Sequence, residues 1–263
     1  MLKKLLKYDL KWMYKLLVIF YALALIFSCI TRLCSLVTNS ALFSVLKGIS
    51  SGFAIAMMIN ALINCIMRSW VRFTKNIYKD ESYLTHTLPV SKNKLYVSKV
   101  LSSVISAITS IAVIIVCLFI CYYSKDNMIA IKNMLELAAG TYDTTVIKLL
   151  LVLFFVLLLE IIFIILIGYV GIIIGHKSNQ NKMAKSVVIG VILYIVTQMI
   201  TLLLVFVFGL FNDSVMNIIN TTDIINIDAI KLILFLGIFI YVVYIIIYFL
   251  TGKKLLEKGV NVD

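Results

Sequence analysis

Proline is nearly missing from this chain: one of 263 residues, Pro89, which lies outside every hydrophobic run. Expected membrane helices therefore carry none of the proline breaks that build midplane ion sites in many secondary carriers, which weighs against a carrier. Charge is sparse as well, at 14% of residues against 63% hydrophobic, with a mean hydropathy of +1.10. That balance cannot make a water-exposed surface, so a soluble globule is excluded. Both histidines, His86 and His176, lack acidic companions at ligand spacing, and there is no H-E-x-x-H. No G-x-x-x-x-G-K-[ST] occurs either, since Gly252-Lys253-Lys254 lacks the upstream glycine. Neither a catalytic set nor a cofactor or metal site is expected. The five cysteines (29, 34, 65, 117, 121) form no C-x-x-C pair and read as small apolar side chains, with an outer Cys34 to Cys121 disulfide as the alternative. Without a Pro- or Gly-rich boundary or an internal repeat, residues 1–263 read as one transmembrane domain.

What is abundant is long uncharged sequence. A helix needs roughly 20 apolar residues to cross about 30 Å of hydrocarbon. Six runs qualify, at about 16–33, 48–67, 100–123, 149–175, 187–211 and 232–250. None alternates with period 2, so they predict helices rather than barrel strands. The expected fold is all-α, a polytopic membrane protein with six spans. No small-x-small cleavage site follows the first run, which reads as a retained helix.

The net charge of +12 is placed rather than spread. Eighteen of the 24 Lys and Arg fall in residues 1–15, 68–99, 176–186 and the C-terminal tail, and six fall in the alternate segments. That asymmetry predicts both termini in the cytoplasm, with 34–46, 124–145 and 212–230 outside, in a multi-pass protein of the cell membrane. It is an orientation signal and does not imply nucleic acid. Trp12 and Trp70 both neighbour basic segments, where indoles sit among headgroups.

Four features stand above plain helix. Residues 2–17 place Leu2, Leu5, Leu6, Met13 and Leu16 toward one side with lysines flanking, which suits an interfacial amphipathic helix or a cytoplasmic extension of the first span. Asn60, Asn64 and Arg68 make a polar stripe on the second span, and Ser98, Ser102, Ser106 and Thr109 another on the third. Such stripes serve helix packing, with a substrate path as the minority reading. Glu160 sits near the middle of the fourth run, where an ionised side chain costs about 3 kcal/mol, and should face protein together with Gly168, Gly171 and Gly175. Finally, the long basic segment 68–99 is patterned. Phe73, Ile77, Leu84 and Leu88 recur as a helical face opposite Arg72, Lys75 and Lys79; Pro89 stops that helix and Ser91 caps the next.

The same segment carries a resemblance. Asp80-Glu81-Ser82-Tyr83-Leu84-Thr85-His86-Thr87-Leu88-Pro89-Val90-Ser91-Lys92, followed by Ser98-Lys99, resembles the inner loop of type-2 ATP-binding-cassette (ABC) transporter permeases of low-GC Gram-positive bacteria. The word-level match covers about twenty residues, and the plan of six spans with a polar stretch between the fifth and sixth covers the chain. The resemblance implies a permease that pairs with a second permease, as homo- or heterodimer, and with separately encoded ATP-binding subunits. It also implies that Asp80 to Ser91 carry the coupling helix that contacts the ATPase.

Together these give an expected role as the permease subunit of an ATP-driven exporter of an amphipathic compound or peptide, itself not an enzyme. Two alternatives stay open: a proton-coupled carrier using Glu160, and a non-transporting membrane sensor or assembly protein. The expected ATPase-docking residues are Ile77, Asp80, Glu81, Tyr83, Leu84, Leu88 and Pro89, with Tyr83 and Leu84 as the anchor. The expected intramembrane polar residues are Asn60, Asn64, Ser102, Ser106 and Glu160.

Overall fold

In hydrocarbon a backbone must satisfy its own N–H and C=O groups, and for solid Leu, Ile and Val blocks the helix does so within one segment. A computed structural model describes residues 2–37, 40–178, 180–220 and 227–259 and contains helices but no strands among them. In order these are α1 (Leu2–Ser35), α2 (Ala41–Ile77), α3 (Ser82–Thr87), α4 (Lys92–Tyr122), α5 (Lys125–Thr141), α6 (Val146–Gly175), α7 (Lys182–Leu210), α8 (Asp213–Asn220) and α9 (Ile227–Glu257). Helices α1, α2, α4, α6, α7 and α9 are each long and apolar enough to cross a membrane. The protein is thus an all-helical, multi-pass membrane protein, and the six helices coincide with the six expected runs. Within the expected outer stretches, residues 38–39 and 221–226 lie outside those described.

Several spans outgrow their apolar runs. At a rise of 1.5 Å per residue, the 34 residues of α1 reach about 51 Å and the 37 of α2 about 56 Å, well beyond a hydrocarbon core. The extra turns are residues 2–15 of α1, 68–77 of α2 and 92–99 of α4. Of the two readings of the basic N-terminal segment, the structure has the continuous one: residues 2–17 run unbroken into the first span.

The chain divides into two compact units, 1–131 and 132–263, with the boundary inside α5. In the first unit α1 and α2 run antiparallel, as Asp9 meets Arg72, Arg68 reaches Trp12, Phe27 stacks on Phe53 with centroids 5.3 Å apart, and the Thr31 hydroxyl donates to Ser50 at 2.9 Å. Helix α4 runs parallel to α1, with Tyr14 bonded to Thr109 at 2.7 Å and Tyr21 to Ser110 at 2.6 Å. Ala24, Ala54, Met58 and Cys117 form the core between them. Small and hydroxylated side chains at the contacts let the backbones approach, as expected where lipid competes with apolar packing.

In the second unit α6 and α7 cross at glycine. A Cβ on Gly171 would stand 2.9 Å from the Gly190 Cα, and one on Gly175 would stand 2.5 Å from the Ser186 Cα. Helix α9 joins through a ladder of hydroxyls: Tyr248 with Thr197 at 2.6 Å, Tyr241 with Gln198 at 3.1 Å and Tyr244 with Thr201 at 3.4 Å. All five cysteines carry free thiols, so the alternative disulfide between Cys34 and Cys121 is absent.

Candidate functional site

The extended ends of α1, α2 and α4 enclose an ionic cluster. Asp9, the one acid among five lysines in residues 1–15, is only 2% exposed. Its Oδ1 accepts from Arg72 Nε at 2.9 Å and from Lys99 Nζ at 2.5 Å, and its Oδ2 accepts from Ser98 Oγ at 3.0 Å. Arg72 continues the chain of contacts, donating from Nη1 to Glu81 Oε2 at 2.6 Å, and Asn76 Nδ2 donates to the same oxygen at 2.9 Å. Two acids thus balance two bases, Asp9 and Glu81 against Arg72 and Lys99. Such balance is what permits burial, because an unmatched buried ion forfeits hydration worth several kcal/mol.

A second cationic contact braces the same end. The Arg68 guanidinium lies 4.0 Å from the Trp12 ring centroid, with Arg72 at 5.3 Å, and Arg68 Nη2 donates to the Trp12 carbonyl at 2.7 Å. Trp12 therefore serves as a protein contact as well as a neighbour of the basic segment.

Helix α3 stands on this platform. The chain leaves α2 at Ile77, with the Tyr78 and Lys79 N–H groups both donating to the Thr74 carbonyl. The turn at 78–81 brings Glu81 back to Arg72, and α3 comes directly after it. Ser82 and Thr85 face inward, at 0% and 4% exposed, while Tyr83 and Leu84 each stand 73% exposed. Leu88 takes an extended conformation, φ −66° and ψ 138°, as a residue before proline prefers, and α3 stops there. Ser91 then begins α4, though its side chain makes no capping hydrogen bond. Next to the turn, Phe73 packs against Tyr78 at a tilt and against Tyr96 edge-on, and burial pushes the pKa of the Tyr78 phenol upward.

One docking expectation needs correction. Ile77 does not share a face with Leu84 and Leu88: it ends α2 and is 1% exposed, because the turn at 78–81 interrupts the supposed single helix. Arg72, placed opposite the expected apolar face, is itself the buried centre of the cluster. Glu81 is engaged within the chain by Arg72 and Asn76, so of the acidic pair Asp80 is the exposed member. Tyr83, Leu84, Leu88 and Pro89 are exposed together with Asp80.

The two polar stripes part company. Ser102 and Ser106 are buried, donate to carbonyls of their own helix, and Ser106 also meets the Met13 sulfur at 3.7 Å, so this stripe is a packing face toward α1. Asn60 and Asn64 are half-buried and donate to the carbonyls of Ala56 and Asn60, beside the packed face of Ala54, Met58, Ala61 and Cys65 rather than on it. In the second unit Glu160 is half-buried with Tyr241 as its polar neighbour. Gly171 and Gly175 make the close helix contact expected of that face.

Asp9 and Lys99 are site residues that sequence reasoning missed. Lys99 read as orientation charge, and the one signal present was the lone acid in a basic segment. No group of three or more metal-binding side chains occurs among the described residues. No family model, characterised protein or solved structure matches this chain.

Proposed function

We propose that this protein is the permease subunit of an ATP-driven ABC exporter in the cell membrane, with both termini in the cytoplasm. ATP hydrolysis resides on a separate subunit, and the transported species is an amphipathic compound or peptide. The observation that carries this reading is the exposed Tyr83–Leu84 step on a helix of six residues whose base is tied into a buried ionic cluster. An exposed aromatic–aliphatic pair is the kind of anchor an interface desolvates, and a rigid base suits transmission of force from a docked partner to α1, α2 and α4 together. The positive-inside asymmetry favours a cytoplasmic position for this turn, where an ATPase would meet it.

A second permease completes the proposal. The apolar windows of α7 and α9 are each only 6% buried, leaving faces for lipid and for another subunit. The deciding experiment is to solubilise the tagged protein from its native membrane in mild detergent and identify what accompanies it. A P-loop ATPase in stoichiometric amount supports the proposal; its consistent absence, with substrate flux from this chain alone, refutes it.

A further inference from the structure

The hydrocarbon layer of the second unit contains one acid and no base. In the stretches from Lys148 to His176 through α6, from Lys185 to Asp213 through α7, and from Lys231 to Lys253 along α9, Glu160 is the only Asp, Glu, Lys, Arg or His between those ends. It lies 12 residues from Lys148 and 16 from His176, about 18 and 24 Å along the helix. Gln198 and Tyr241 are just as central in their own runs, and Gln198 Nε2 donates to the Tyr241 hydroxyl at 3.1 Å. The Gln198–Tyr241 bond thus ties α7 to α9, and Glu160 of α6 lies next to Tyr241 at the same depth.

Aromatic rings surround this point. Phe163, one turn from Glu160, has the rings of Tyr241, Tyr244, Tyr248 and Tyr194 around it at centroid distances of 4.9 to 6.2 Å. The hydroxyls of Tyr244 and Tyr248 are committed to Thr201 and Thr197. Tyr241 is the polar neighbour of Glu160, a carboxylate able to accept at about four positions, and Tyr194 lies close to Tyr241. A packing bond alone would be served by Gln or Ser without a charge. A half-buried carboxylate with no base in its layer, next to a cluster of aromatic rings, lacks one thing, a positive partner.

We propose that Glu160, Tyr241, Tyr194 and Gln198 form a midplane binding site for a hydrophobic organic cation. The carboxylate supplies the counter-charge, the two rings the cation–π walls, and the amide orients Tyr241. This names a substrate class for the exporter and rests on the permease reading only for the transport step after binding.

The test is equilibrium dialysis of radiolabelled tetraphenylphosphonium against the full-length protein in phosphatidylcholine–phosphatidylglycerol nanodiscs, with empty discs subtracted. Binding should saturate, and the isosteric anion tetraphenylborate should not compete. Glu160→Gln should weaken binding about tenfold or more and Tyr241→Leu about fivefold, while Glu160→Asp and Tyr241→Phe stay within about threefold of wild type. Trypsin resistance and elution volume verify folding, and Tyr241→Leu decides the matter if Glu160→Gln does not fold. Absence of saturable binding, unchanged affinity in the folded Glu160→Gln or Tyr241→Leu protein, or equal competition by tetraphenylborate overturns the site. Co-purification of the ATPase is scored separately: recruitment without cation binding rejects only the site, and cation binding without recruitment rejects only the ATPase partnership.

Discussion

Asp9 and Lys99 lie 90 positions apart in sequence and meet at 2.5 Å, with both side chains 3% exposed. Around that contact, Arg72 and Ser98 also donate to the carboxylate, and Glu81 occupies the far side of Arg72. The cluster fixes the register of three helices at their extended ends, where a lipid-facing Leu or Ile surface would allow sliding. Burying ions does not by itself stabilise; here the balance of charge and the hydrogen bonds specify one arrangement.

Removing one member should therefore cost far more than removing a matched pair. Asp9→Asn leaves Arg72 and Lys99 buried and under-compensated, and should destabilise by roughly 3–5 kcal/mol. Asp9→Asn with Lys99→Met should recover a substantial part of the loss. Thermal unfolding in detergent, followed by a thiol-reactive dye on the buried cysteines, measures both. Equal loss in the single and the double variant would remove the pair from the account.

The six spans were legible because solid apolar blocks bounded by Lys and Arg leave one solution in hydrocarbon. So was the stop at Pro89, since the constraint on Leu88 is local. The cluster was not. Asp9, Arg72 and Lys99 are each unremarkable in a basic segment, and only the antiparallel pairing of α1 with α2 and the parallel pairing of α1 with α4 bring them together. The supposed face through Phe73, Ile77, Leu84 and Leu88 failed for a related reason. Periodicity cannot register a four-residue turn that resets the helix phase, and Phe73 and Ile77 owe their apolarity to burial under the turn. The asparagine stripe misled because an amide can satisfy itself on its own helix, as Asn60 and Asn64 do.

The crossing of α6 and α7 makes an asymmetric prediction about glycine. Gly171→Ala would drive a methyl to 2.9 Å from the Gly190 Cα, and Gly175→Ala to 2.5 Å from the Ser186 Cα and N, all of them backbone atoms. Gly190→Ala meets nothing within 4 Å. The first two should separate the helices and raise protease sensitivity, at about 1–3 kcal/mol each, and the third should be neutral. Limited trypsinolysis in membranes reads all three; equal sensitivity across the set would refute the close crossing.

Orientation can be checked without reference to transport. In a cysteine-free background, a single cysteine at Thr87, exposed at the end of α3, should be shielded from an impermeant maleimide in intact cells and react after lysis. One at Asn127, exposed near the start of α5, should react in intact cells. The reverse pattern would invert the topology and move the α3 turn away from any cytoplasmic ATPase.

Leu84→Asp is the decisive test of the docking turn. Leu84 is 73% exposed, so the change removes little intramolecular packing, and surface substitutions of this kind alter stability by about 0.5 kcal/mol or less. Protein level, insertion and melting temperature should match wild type. If Tyr83 and Leu84 form the apolar anchor of an interface, a carboxylate placed at its centre must be desolvated on docking, and loss of one hot spot costs at least about 2 kcal/mol, some thirtyfold in affinity. The ATPase should then be lost from the purified complex, together with substrate-stimulated hydrolysis. Asp80→Asn provides the contrast: its charge is exposed at the rim, so its effect should appear chiefly as a changed salt dependence of association. Separating the two requires titrating the purified ATPase against each variant at low and high ionic strength. Normal recruitment by Leu84→Asp would show that the exposed pair serves something other than docking.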